Sequence, residues 1–159
     1  MKEYKNPKPI AVAVVPAFDP VRNVEGVLVI RRAGGGQFNG MLALPAGYME
    51  LGETWKESVV RELREETGIE ADAEDVRLLD VMTSPLNGNL QVFGSIITMP
   101  VDISMLKPTP EASEFLVIGR QDNFETEFTT HKAAVEKYFD LRVDFLVQVL
   151  AKNRLEKEG

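Results

Sequence analysis

Residues 47–69 read "GYMELGETWKESVVRELREETGI". Six glutamates (Glu50, Glu53, Glu57, Glu62, Glu65 and Glu66) crowd this stretch, and glycines bracket it. Thr54-Trp55-Lys56-Glu57 fits a capping box: the Thr hydroxyl accepts from a first-turn amide, and the Glu three residues on reaches back. Gly68 suits the left-handed residue that ends a helix. The spacing therefore predicts a helix over 55–67.

At about 100° per residue, Glu62, Glu65 and Glu66 share one arc of that helix. Val59, Val60, Leu63 and Thr67 form an adjoining, mostly apolar arc that can pack on a sheet, and Arg64 points to solvent. Like charges at helical spacing repel, which costs stability unless a cation offsets it. Three carboxylates beside a buried face make an oxygen-ligand cluster for a hard divalent cation such as Mg²⁺. Glu is also a good helix former, so by themselves these residues fit an ordinary solvated face with Arg–Glu pairs as well.

Outward from the helix, "IAVAVVPAF" (10–18) and "GVLVIRRA" (26–33) read as two strands joined by a loop. "GGGQFNG" (34–40) is a glycine-rich loop; no Lys-Ser/Thr follows it, as a P-loop would need. "MLALPAG" (41–47) reads as a brief strand ending at Pro45. "VRLLDVMTS" (76–84) and "LQVFGSIITM" (90–99) read as a hairpin turning at Asn87-Gly88, with both residues tolerating positive φ. "DISMLKPTPEA" (102–112) should be loop, and "EFLVIG" (114–119) a further strand. From about 130 the pattern turns helical, with Ala134, Tyr138, Leu141, Phe145 and Val149 spaced by three or four. Many strands with one internal and one terminal helix predict an α+β or layered α/β domain spanning 1–159.

The chain has 159 residues, 44% hydrophobic and 27% charged, with a formal charge of −7. That charge argues against binding a nucleic-acid polymer, which needs clustered Lys and Arg. With no cysteine, disulfides, zinc–thiolate sites and thiol nucleophiles are excluded. No apolar run reaches membrane-spanning length and the first residues lack a signal-peptide core, so a cytoplasmic protein is expected.

The 47–69 stretch resembles the signature of the Nudix hydrolases, G-x5-E-x7-R-E-U-x-E-E-x-G-U with U aliphatic. Gly47, Glu53, Arg61, Glu62, Leu63, Glu65, Glu66, Gly68 and Ile69 fill every defined position. The resemblance implies an α/β/α sandwich with a mixed sheet, the signature forming a loop–helix–loop. It implies hydrolysis of a nucleoside diphosphate linked to another moiety, with Mg²⁺ or Mn²⁺. By the same match, Glu65 and Glu66 are principal metal ligands and Gly47 offers its carbonyl oxygen. Glu62 is a further ligand or activates water, Glu53 reaches the metal cluster from the loop, and Arg61 holds the glutamates by ion pairing.

A softer resemblance, in "YKNPKPIAVAVVP", "LPAGYMELGET" and "FTTHKAAVEKYF", is to ADP-ribose and NADH pyrophosphatase relatives. The zinc ribbon that several of them carry is impossible here, and "TSPLNGN" (83–89) is a poor substitute for the motif associated with NADH. The expected substrate is ADP-ribose or a similar ADP-linked compound, giving AMP and a phosphorylated product. The alternatives are nucleoside triphosphates, dinucleoside polyphosphates, NADH, or a non-catalytic nucleotide-sensing module.

Beyond the signature, Arg31, Arg32 and Tyr48 are candidate substrate contacts. Glu125 and Glu127 are candidates for an additional base or ligand. Phe38, Tyr48 and Phe93 are candidates to stack on an adenine, although aromatics at such positions more often belong to the core. His131, the one histidine, is expected to cap or pack the last helix. A broad apolar face on that helix, including Val143, Phe145, Leu146, Val149 and Leu150, predicts a homodimer.

Overall fold

A computed structural model describes residue 1 and residues 3–142. Its strands are β1 (Pro9–Val14), β2 (Pro16–Asp19), β3 (Val24–Arg32), β4 (Leu42–Ala43), β5 (Ala46–Tyr48), β6 (Val76–Thr83), β7 (Leu90–Ile96), β8 (Val101–Asp102) and β9 (Ala112–Gly119). The helices are α1 (Trp55–Thr67) and α2, helical over 129–142. None of the described helices is long and apolar enough to cross a membrane.

Two mixed sheets form. One has the order β5-β1-β7-β6, with β1 parallel to β7 and antiparallel to β5. In the other, β3 pairs with β2 and β4 along one edge and with β9 along the other, and β8 extends β2. The stretch read as one strand over 10–18 is two. Pro16 lacks the N–H that a central strand must donate, so the chain leaves the first sheet at Val14 and enters the second.

The β1 side chains alternate between two cores, as the pleat requires. Val12 and Val14 join Phe93, Leu44, Ala134 and Tyr138 on the α2 side. Ala11 and Ala13 join Val59 and Leu63 on the α1 side. Small residues on that side let α1 lie close to the sheet. Val59 and Leu63 are fully buried there, each contributing about 1.5–3 kcal/mol.

α1 keeps its predicted limits. Thr54 and Glu57 form both halves of the capping box, and Gly68 closes the helix at φ 76°. Arg64 is exposed, and Val59, Leu63 and Thr67 are buried.

The structure also settles other expectations. The 41–47 stretch is β4 and β5 separated by Leu44-Pro45. The β6–β7 hairpin forms as expected; the Ser84 N–H donates to the Asn89 carbonyl, and of Asn87 and Gly88 only Gly88 takes positive φ. Ser84 and Asn87 side chains cap the loop. Phe93 is fully buried between the sheet and α2, so it cannot stack on a ligand. Residues Val143, Phe145, Leu146, Val149 and Leu150, which carried the homodimer expectation, lie outside the described residues.

Candidate active site

β5 crosses the polar edge of α1, and this crossing builds the site. Gly47 pairs with Ala11 on β1, which brings its backbone against the Glu62 side chain. A Cβ at Gly47 would overlap the Glu62 carboxylate, so only glycine permits this approach. One residue earlier, the Ala46 N–H donates to Glu66 Oε2 at 3.0 Å. The Thr109 hydroxyl donates to the Glu66 carbonyl at 2.8 Å, tying the loop before β9 to the same turn of α1.

Arg61 gathers the remaining carboxylates. Its Nη1 donates to Glu62 at 2.7 Å and to Glu65 at 3.2 Å. Its Nη2 donates to the Tyr48 carbonyl at 2.9 Å and to Glu53 Oε2 at 3.1 Å, while Nε makes a very close bond to Glu53 Oε1. One planar fork thus offsets much of the repulsion that the sequence poses.

Burial sets the electrostatics. Desolvation, opposed by the Ala46 amide and reinforced by the charges of Glu62 and Glu111, pushes the Glu66 carboxyl up to about 8. Desolvation also raises Glu62 above the ordinary carboxyl range, against the hydrogen bond from Arg61. The Arg61 hydrogen bond holds Glu53 down to about 2. Two buried, adjacent carboxyls that resist ionisation are what a divalent cation would relieve.

Among the described residues, no three acidic or histidine side chains already converge as a cage. Arg61 draws Glu62 and Glu65 to itself while the Ala46 amide holds Glu66. The donor set nevertheless fits a hard, oxygen-seeking cation. Glu62 and Glu66 are only 7% and 3% exposed, Glu65 lies at the rim, and the Gly47 backbone passes beside them.

The same Ala46-Gly47-Tyr48 segment lines a cavity of about 150 Å³ whose other walls include Arg32, Phe38, Phe128 and His131. It is smaller than sites that enclose a whole drug-sized ligand, so it takes one ring-sized part of a ligand. Phe38 and Phe128 pack at 5.0 Å between ring centroids, and the Arg32 guanidinium lies 5.8 Å from the Phe128 ring centre. Tyr48, 55% exposed, stands at the mouth. A larger cavity of about 390 Å³, between the end of β9 and α2, includes none of the α1 glutamates.

The structure brings Arg32 and Tyr48 to the site and leaves Arg31 elsewhere. Arg31 is engaged by Glu114 at 2.7 Å and by the Gly40 carbonyl at 3.0 Å. With Glu125 and Glu127 it lines an open groove that contains none of the α1 carboxylates. The acidic residue whose charge does reach Glu62 and Glu66 is Glu111. It is exposed, just ahead of β9, and its carbonyl accepts from the Ala33 N–H at 2.8 Å. Its segment, "KPTPEA", reads as loop in the sequence. Only the antiparallel pairing of β9 with β3 brings it back toward α1.

His131 is buried and held far below its ordinary value, at about 3, by desolvation and then by the Arg32 charge. Its Nδ1 accepts the Leu44 N–H at 3.1 Å, so it packs and anchors rather than titrates.

Comparison with known proteins places this arrangement. An ADP-ribose pyrophosphatase of Methanocaldococcus jannaschii is 46% identical over 59 residues, 37% of this chain and 33% of that enzyme. The chain therefore matches about a third of that relative's length. A MutT/nudix family protein from Enterococcus faecalis superposes with a TM-score of 0.70 at 21% identity, covering 91% of this chain and 65% of that one. The NUDIX domain of Shewanella oneidensis NrtR, crystallised with ADP ribose, superposes with a TM-score of 0.67 at 16% identity, covering 86% and 89%. These likenesses establish a shared fold. The NUDIX domain profile matches residues 7–99, more than half of the sequence, and the chain belongs to the Nudix family.

Proposed function

We propose that this protein hydrolyses the pyrophosphate bridge of a nucleoside diphosphate linked to another moiety, with ADP-ribose or a similar ADP-linked compound as substrate. The observation that carries the reading is the Ala46-Gly47 peptide. It runs over the buried Glu62–Glu66 pair on one side and lines an aromatic, ring-sized cavity on the other. A base seated in that cavity leaves its phosphates close to the carboxylates. Identity to an ADP-ribose pyrophosphatase across a third of the chain supports the choice of sugar.

Glu62, Glu65, Glu66 and the Gly47 carbonyl would hold Mg²⁺ or Mn²⁺. The ion would supply charge neutralisation along the diphosphate and polarise what it touches. The rest falls to this chain. Arg61 fixes Glu53, Glu62 and Glu65 relative to one another, so that the site is ordered before substrate arrives. A Glu62 oxygen turned away from the ion takes a proton from the attacking water. The water oxygen bonds to one phosphorus, the bond from that phosphorus to the bridging oxygen breaks, and AMP leaves with a phosphorylated sugar. Glu111 adds negative potential at Glu62 and Glu66.

A cytoplasmic, homodimeric protein belongs to the same proposal. The cysteine-free composition supports the compartment, and the apolar spacing of the terminal sequence supports the dimer. Light scattering giving a mass near the 17.7 kDa of one chain would remove the dimer.

The activity test is chromatographic analysis of products from a nucleotide panel, with Mg²⁺ and with Mn²⁺. AMP plus a sugar phosphate from ADP-ribose is expected. Tight binding of ADP-ribose without turnover, at alkaline pH and ample metal, would contradict hydrolysis.

A further inference from the structure

We infer that His131 is a positioning residue for this site: through Nδ1 it holds the Leu44–Pro45 peptide that feeds into Ala46-Gly47, and with its ring face it backs Phe128, a wall of the cavity. The inference rests on the pyrophosphohydrolase reading for the identity of the ligand.

Leu44 is fully buried in the gap between β4 and β5, where the chain bends at Pro45. Its N–H cannot be left without an acceptor there, and His131 Nδ1 accepts it at 3.1 Å. Two residues on, the Ala46 N–H fixes Glu66, and at the next residue the backbone abuts Glu62. The histidine therefore anchors the start of a peptide that pairing with β1, including the Ala13 N–H to Pro45 carbonyl bond at 2.8 Å, carries over both carboxylates.

With Nδ1 committed as an acceptor, the neutral ring carries its proton on Nε2. The side-chain amide of Gln91 lies 3.4 Å from that nitrogen, with the Thr130 hydroxyl on its other side. In the structure the Gln91 amide nitrogen faces the ring and its oxygen accepts from the Thr130 hydroxyl; turning the amide over gives the ring N–H an acceptor and lets the amide nitrogen donate to the Thr130 oxygen. Gln91 is 4% exposed, so this network is sheltered from water. It anchors the ring to β7 and to its own helix at once.

The ring face does the second task. Phe128 stacks on His131 with centroids 5.1 Å apart and planes 26° from parallel, while Phe93 meets the ring edge-on at 5.8 Å. Phe128 in turn meets Phe38 and lies under the Arg32 guanidinium. An aromatic wall held this way is pre-organised for a flat ring. A plain apolar core residue at 131 would support the stack and lose the peptide, whereas a small amide would do the reverse.

Those two losses are separable. In His131→Phe the stack survives and the Leu44 acceptor is gone, so kcat on ADP-ribose falls about tenfold or more while AMP affinity stays within about twofold. In His131→Asn an acceptor remains and the stack is gone, so AMP binding measured by calorimetry weakens about tenfold while kcat changes little. Equal losses in both variants, or none in either, would overturn the inference.

Because the chain has one histidine, long-range proton–nitrogen correlation on the wild-type protein gives a further reading that needs no variant to fold. Protonated Nε2 and bare Nδ1, unchanged from pH 7 to 5, are expected; the opposite tautomer or an imidazolium would overturn it. If wild-type protein binds AMP but cleaves no ADP-linked compound, the hydrolase reading fails alone. The AMP affinity of His131→Asn and the tautomer still decide the role of His131. A wild-type protein that binds no AMP overturns the platform.

Discussion

Replacing Glu66 with Gln tests the electrostatics of the site through stability, independently of any substrate. Glu66 is 3% exposed, and its pKa stands at about 8 against an ordinary 4.5. A carboxyl whose folded-state value is raised contributes stability that is fully present below the unfolded value and is lost as pH rises to the folded one. In protein stripped of metal with a chelator, the loss therefore runs from about pH 4.5 to about pH 8. Each pH unit in that interval is worth about 1.4 kcal/mol, so the ceiling is on the order of 5 kcal/mol.

Gln has the same shape and keeps an oxygen for the Ala46 N–H, but it has no charge to desolvate. Urea unfolding at pH 5, 6, 7 and 8 should find the two proteins nearly equal at pH 5 and Glu66→Gln the more stable by several kcal/mol at pH 8. Glu62 titrates in both proteins, so the difference between them reports Glu66 together with its coupling to Glu62. Saturating Mg²⁺ should close the gap by stabilising only the wild type, because a ligand that binds the folded state adds to its stability. Parallel losses from pH 5 to 8 in the two proteins would refute the reasoning.

Arg61→Lys keeps the charge and loses the fork that joins Glu53, Glu62, Glu65 and the Tyr48 carbonyl, so kcat should fall about 10²-fold; steady-state kinetics with unchanged kcat would contradict this. Gly47→Ala places a Cβ on the Glu62 carboxylate and should weaken Mn²⁺ binding in calorimetry with little change in circular dichroism. Glu53 has a depressed pKa, so its contribution is present above about pH 4.5 and lost as pH falls to about 2. The deficit of Glu53→Gln in urea unfolding should then shrink across that window, and a constant deficit would count against the ion pair. In the β3–β9 ladder, a Cβ at Gly26 would collide with the Ile118 backbone. Gly26→Ala should cost about 1–3 kcal/mol or more, read as a lowered Tm.

Local rules carried the sequence reading a long way. The limits of α1 follow from Thr54, Glu57 and Gly68, whose effects act within a few residues, and the structure keeps them. The burial of Val59 and Leu63 follows from helical periodicity, which sets Glu62, Glu65 and Glu66 on one adjoining arc; that Glu62 and Glu66 are buried while Glu65 stays exposed depends on where β5 crosses the helix. What the sequence hides is set by pairing over long distances. Glu111 reads as an ordinary loop residue until β9 lies along β3. Pro16 marks the split of the 10–18 stretch in the sequence, but which sheet each half joins is not recorded in a run of apolar residues. The ion pairing of Arg61 is implied by the signature match, whereas its bond to the Tyr48 carbonyl needs a folded loop to bring that group to its fork.

The central claim is that carboxylates from one turn of α1 and the Gly47 backbone hold a divalent cation where a diphosphate can be cut. Crystals soaked with Mn²⁺ and a non-hydrolysable ADP-linked analogue test it most directly, by anomalous scattering from the metal. The account predicts a manganese peak among Glu62, Glu65, Glu66 and the Gly47 carbonyl, with Arg61 released from at least one of its glutamates. Saturating Mn²⁺ and analogue with no peak there, and with Arg61 still gripping Glu62 and Glu65, would contradict it.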